Sequence, residues 1–310
     1  MKKILIIVLF IFVLVGCNKK NNFPYTRKDN KIYFGYYPQT LETNNKIIDK
    51  LNKKVETLPN ESNSYNWIDY NYYIEDKMES YMFYIDIDLD NDSRFDYRGV
   101  YFTKYRPHYT HLDGTEQYSI QYQNNYYINN VYWFKYEKIE WNILEENDGK
   151  ATIISSISID SMDFYPSHLA SQFEHNGSIG KANNYELSNI RKWLNDNFYN
   201  TAFNNNEQSI INKSIIKTDD CNDTLDNVFL LSRDEVVSYY ESWNDRIVSG
   251  TDYAYSQGLN HIANASYWSL RSPYAPYSGY NLLIDLQGAI IHAEVNSTFY
   301  GIRPVININL

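Results

Sequence analysis

The chain has 310 residues, of which 21% are charged and 43% hydrophobic, with only 12 glycines and 8 prolines. That composition supports a folded core and excludes collagen-like, coiled-coil and polytopic membrane classes. The net charge of −10, with no basic stripe, excludes nucleic acid as a partner, because phosphate binding needs clustered cations.

Residues 1–16 read as a signal peptide: Lys2 and Lys3 precede an unbroken apolar run from Ile4 to Val15. Twelve residues rise only about 18 Å as a helix, against a bilayer core of about 30 Å, so a spanning helix is the weaker reading. Leu14-Val15-Gly16-Cys17 matches a bacterial lipobox, which predicts diacylglyceryl attachment at Cys17 and export to the cell membrane or surface as a lipid-anchored protein. Cys221 is then the other cysteine, so no disulfide within the chain is expected. Residues 17–30 are polar and aperiodic, a tether behind the lipidated end.

Residues 31–134 read as a β-rich N-terminal region. Ile32 to Gln39 is β-prone up to a stop at Pro38, and Ile47, Ile48, Leu51 and Val55 recur at helical spacing. Phe83, Ile85, Ile87 and Leu89 alternate with Tyr84, Asp86, Asp88 and Asp90, which predicts a hairpin turning at Asn91-Asp92-Ser93 with its acids in water. A calcium loop counted from Asp88 has Ser93 in place of glycine and Gly99 in place of the bidentate glutamate, so no metal site is expected there. His108 and His111 lie in a predicted loop without a glutamate ligand and read as solvent-exposed. No nucleophile elbow, phosphate loop or dinucleotide fingerprint occurs, so neither catalytic residues nor cofactors are assigned.

Residues 135–310 hold the clearest local signals. Asn147-Asp148-Gly149 predicts a turn before the strand from Lys150 to Ile157. Ser188 can cap a helix with Ile190, Trp193, Leu194 and Phe198 on one face. Val228 to Leu231 reads as a short strand, followed by the capping box Ser232 to Glu235. Tyr267 to Val295 reads as a β-meander. Strands do not alternate regularly with helices, so the expected class is α+β, mostly antiparallel sheet with a few short helices.

Trp141-Asn142-Ile143-Leu144, Ser188 to Asn195, Val228 to Ser232, Trp268 to Pro273 and Gly301 to Val305 together resemble the domain of unknown function 6273 family, in the same order. The resemblance covers about Lys135 to Leu310, with Tyr33 to Gln39 similar to a segment that often opens such domains. It implies exported bacterial proteins and no established activity. The closing strands also resemble, more weakly, the C-terminal sheet of C-type-lectin-like folds. Trp243-Asn244-Asp245 spells a lectin calcium tripeptide, which without a partner motif is a coincidence.

The function these features suggest is a non-catalytic, surface-displayed binding module for a glycan or protein ligand. An envelope-remodelling enzyme, such as a carbohydrate-active hydrolase, and a structural envelope lipoprotein are the alternatives. Tyr239 to Tyr280 is rich in aromatics and loop residues, and Trp243, Arg271, Tyr274 and Tyr277 are its candidate ligand contacts. Tyr253 is set aside because it sits in a short capped helix and should pack inward. Arg271 and Arg303 have a second reading, as structural groups tied to sheet carbonyls or to Asp285.

Overall fold

The computed structural model describes residues 23–166 and 182–310, so Cys17 and the leader lie outside the described residues. Among the described residues no helix is long and apolar enough to cross a membrane. The fold is α+β, dominated by antiparallel sheet, as the sequence predicts.

A nine-stranded sheet is organised by one long strand, Val131–Asn147. Phe134 pairs at once with Leu41 and Arg98, and Trp141 at once with Ile32 and Ser155. Strand Lys31–Leu41 therefore lies along one side of it, while Tyr97–Phe102 and Lys150–Ser155 share the other in succession. Thr26–Lys28 pairs with Lys31–Leu41 in turn, so the end of the expected tether over residues 17–30 is a strand of the sheet, held by ladder bonds and by Arg27 on Glu146. The sheet thus runs without a break across position 134. Lys31–Leu41 also continues through Pro38, where the sequence predicts a stop. The register shifts between Tyr33 and Tyr36 and again between Pro38 and Leu41, and such bulges accommodate a residue with no amide hydrogen. Gly35, at φ +66°, forms the first bulge, and a Cβ there would fall 2.5 Å from the Phe203 ring.

Asn147 pairs with Lys150 across Asp148 and Gly149, both at positive φ, the conformation of a two-residue hairpin. Val228 to Leu231 is buried, but its one ladder contact is the bridge from Phe229 to Val305, so it is an extended segment rather than a strand. The expected meander is present as Trp268–Pro273, Tyr280–Ile284 and Ile290–Glu294, extended by Gly301–Ile302 and Asp160–Ser161 into a second sheet of five strands.

The chain leaves the second sheet at Ile302 and enters the first at Val305. The intervening Arg303 is 1% exposed, donates twice to the Ser155 carbonyl and lies 4.7 Å over the Trp268 ring. It is a structural bolt between sheets. One apolar cluster, including Phe34, Trp141, Phe198, Tyr253, Trp268 and Ile306, fills the space between them. The Ser188-capped helix Asn189–Trp193 and the π-helical turn Leu194–Phe198 that continues it bury Ile190, Leu194 and Phe198 as expected but leave Trp193 half-buried.

Candidate functional site

A cleft of about 360 Å³ opens between residues 68–98 and the second half of the chain. Its outer wall carries Tyr70, Tyr72, Tyr73 and Tyr84. The inner wall carries Asp160, Asp163 and Tyr253, and Trp193, Asn197 and Thr201 form the opposite rim.

The hairpin Met82–Ile87 with Tyr97–Phe102 forms as predicted, yet Asp86 does not face water. It stands directly opposite Arg98, which clasps it through Nε and Nη2 at 2.8 Å each, with side chains only 5% and 10% exposed. The two-toothed geometry is the strongest an arginine and a carboxylate can make. Arg98 also donates to the Tyr253 hydroxyl at 3.3 Å and lies 4.1 Å over the Tyr84 ring. A second guanidinium, Arg106, sits 3.8 Å over Tyr72 and donates to the Ser161 and Gln257 carbonyls and to Asp163. Tyr70 stacks on Tyr72 at 5.4 Å, so the outer wall is a ladder of tyrosines held at each end by a buried cation.

Hydroxyls tie this wall to the domain behind it. Tyr70 and Tyr253 share a hydrogen bond of 2.8 Å, and Tyr72 donates to Gln257 at 3.1 Å. Asp160 accepts from the Tyr37 hydroxyl at 2.6 Å and from the Ser161 amide at 2.7 Å. Burial pushes its pKa up to about 6, against the lowering effect of those two donors and of Arg106 and Arg98. Burial likewise raises Asp163, opposed by Arg106, and holds Tyr37, Tyr70 and Tyr72 neutral.

The residues expected to bind ligand lie elsewhere and do not form one site. Arg271 is turned inward, held by Glu235 through both guanidinium Nη atoms and by the Leu230 and Lys217 carbonyls, which is the structural arrangement given as its second reading. Asp285 is not the partner of either arginine; it accepts the Gln287 and Ala289 amides in its own turn. Tyr277 is 61% exposed and groups with Tyr274, Tyr280 and His292, the last stacked on Tyr274 at 4.1 Å. Trp243 is equally exposed, but its backbone packs against Gly288, at the opposite end of the hairpin from Tyr280. Four steps of strand, about 13 Å, separate the two ends. Asp245 accepts from the Ser242 amide and hydroxyl, a turn contact.

His108 is not solvent-exposed as expected: it is half-buried against Phe299, and burial lowers its pKa. His111 is exposed and contacts Asn296 at 3.0 Å. Asp88, Asp90 and Asp96 bring carboxylate oxygens within 4.8 Å of one another, the one such cluster among the described residues. Asp88 accepts the Asn91 and Ser93 amides and Asp96 the Leu89 amide, so these acids brace the hairpin tip.

Tyr70, Tyr72, Tyr84, Arg98, Asp160 and Asp163 escape a sequence reading. The one local signal is Ile159-Asp160-Ser161-Met162-Asp163-Phe164, two acids embedded among apolar residues. Tyr253 does pack inward, but its hydroxyl then reaches the floor of the cleft.

Fold and cleft define an α+β protein of two sheets, antiparallel except for the pairing of Trp268 with Gly301, in which residues 68–98 form a tyrosine-rich arm that walls the cleft. The chain belongs to the family described as "Domain of unknown function (DUF6273)", whose model matches residues 148–310, just over half of its length. The match begins after the strand Val131–Asn147 rather than before it, and the arm lies outside it. No curated protein and no solved structure matches the chain.

Proposed function

We propose that this protein is an exported, lipid-anchored binding module of the bacterial envelope, and that its ligand is a small polar molecule, such as a glycan fragment, held in the tyrosine-walled cleft. The observation that carries the ligand reading is the cleft itself: aromatic side chains converge with hydrogen-bonding groups in a volume typical of small-molecule sites. Export and anchoring rest on the basic, apolar and Leu-Val-Gly-Cys sequence ending at Cys17.

The test is a calorimetric screen of oligosaccharides and short peptides against the parent and two double variants. Asn71→Ala with Asn197→Ala alters the exposed rim of the cleft. Trp243→Ala with Tyr277→Ala alters the exposed aromatics. The cleft reading expects at least a tenfold loss in the first and none in the second. The reverse pattern moves the ligand to the exposed aromatics.

A carbohydrate-active hydrolase is the second reading, which draws on one observation, that two buried carboxylates, Asp160 and the Arg106-paired Asp163, line the cleft. It expects turnover of an oligosaccharide that Asp160→Asn abolishes.

A further inference from the structure

Two arginines and three carboxylates meet beneath the cleft, and their pairing leaves one acid over. Arg98 is committed to Asp86, and Arg106 to Asp163. Asp160 is 3% exposed, and both of its hydrogen-bond donors, the Tyr37 hydroxyl and the Ser161 amide, are neutral. Among the described residues no lysine, arginine or histidine stands within ion-pair distance of it. With every member ionised, these five described groups sum to one net negative charge, and Arg106 and Arg98 act on Asp160 only from beyond ion-pair distance.

A carboxylate out of water is stable only if a counter-charge meets it or a proton neutralises it. Asp160 lines the cleft, as does the exposed Lys192 on its rim, so a cationic ligand has a route to the acid. The Tyr37 hydroxyl is bonded to the acid, Tyr72 and Tyr253 are near enough to interact with it electrostatically, and the faces of Tyr72 and Tyr84 are taken by Arg106 and Arg98, so the contact left for a ligand cation is the carboxylate itself. A ligand offering only hydroxyls would leave the charge uncompensated.

We propose that the cleft selects a ligand carrying a primary ammonium group, set against Asp160 so that its charge completes the buried cluster. An amino sugar and an amino-acid amine share that chemistry. The inference rests on the reading of the cleft as the binding site and narrows it to one class of ligand.

Three probes test it by calorimetry on the folded chain at neutral pH: chitotriose, its fully de-N-acetylated form, and L-lysine. At least one amine probe is expected to bind tenfold or more tightly than chitotriose, and which one does distinguishes sugar from amino acid. Asp160→Asn is expected to remove that preference. The comparison of the amine and acetyl forms on the parent chain needs no variant, so it stands even if Asp160→Asn folds poorly. Equal binding of chitotriose and its amine form, or no binding of either amine at millimolar concentration, overturns the proposal. Chitotriose binding that equals that of its amine form and falls in Asn71→Ala with Asn197→Ala overturns only the ammonium preference and leaves the cleft as the site. Probe binding untouched by that double variant overturns the cleft reading itself.

Discussion

At the scale of single residues, the cleft stores a cost that can be measured. Burial moves Asp160 from the ordinary 3.8 to about 6, so the folded chain holds this proton more tightly than the unfolded one. Stability from this group therefore falls as pH rises between those values, and the full cost, about 3 kcal/mol at most, is present above them. Asp160→Asn keeps an acceptor for the Ser161 amide, and the Tyr37 hydroxyl can turn to accept from the new amide. The variant should be more stable than the parent near pH 7 and indistinguishable from it near pH 4, by denaturant midpoints. A less stable variant near pH 7 would sink this account. Arg271 gives the opposite case. Replacing it by leucine strips the Leu230 and Lys217 carbonyls of this donor and leaves Glu235 with the Ser232 amide alone, and should cost about 3 kcal/mol with no effect on ligand binding in the cleft.

At the scale of elements, the short helix Asp252–Ser256 joins the arm to the domain behind it. Thr251 caps it by accepting the Ala254 amide at 3.0 Å, which is the local signal the sequence carries. What holds it in place is distant in sequence. Gln121 donates to the Ser256 carbonyl at 2.7 Å, Asn124 to the Tyr255 and Leu259 carbonyls, and Tyr126 to the Asp252 carbonyl. Gln121 also accepts the Arg106 amide at 2.7 Å and is fully buried, so Gln121→Ala leaves buried partners unsatisfied on both sides. It should cost about 2 kcal/mol and, because Tyr253 is displaced with the helix, also weaken any ligand of the cleft. Unchanged affinity in a measurably destabilised variant would separate the helix from the site. The Gly288 turn is a second element-level constraint. At φ +80°, with the Trp243 carbonyl 1.9 Å from where a Cβ would stand, Gly288→Ala should cost more than about 1 kcal/mol in thermal melts.

At the scale of the whole molecule, the strand Val131–Asn147 pairs with both halves of the chain, and one apolar cluster draws on both. The full chain should therefore unfold in one transition, with tryptophan fluorescence and far-ultraviolet dichroism coincident. Two separated transitions would mean that the arm and the remainder fold independently. Anchoring also belongs to this scale. Cys17→Ala should abolish acyl labelling and shift the protein out of the membrane fraction, and unchanged fractionation would refute a lipid anchor there.

Local chemistry was legible because its causes lie within a few residues. Ser188 and Ser232 accept amides three positions on, Asp148-Gly149 adopts the positive φ its hairpin needs, and the alternation from Phe83 onward yields a strand. The family resemblance belongs to the same class, since it resides in contiguous motifs. Tertiary structure alone decided that Asp86 meets Arg98 instead of water, that Arg271 turns to Glu235, and that Trp243 and Tyr277 stand at opposite ends of one hairpin. It alone assembled the cleft, whose walls come from residues as far apart as Tyr70 and Tyr253. The reason is physical: whether a charge or an aromatic ring is buried or free depends on the partners that folding brings to it, and those partners leave no periodic trace in the sequence around it.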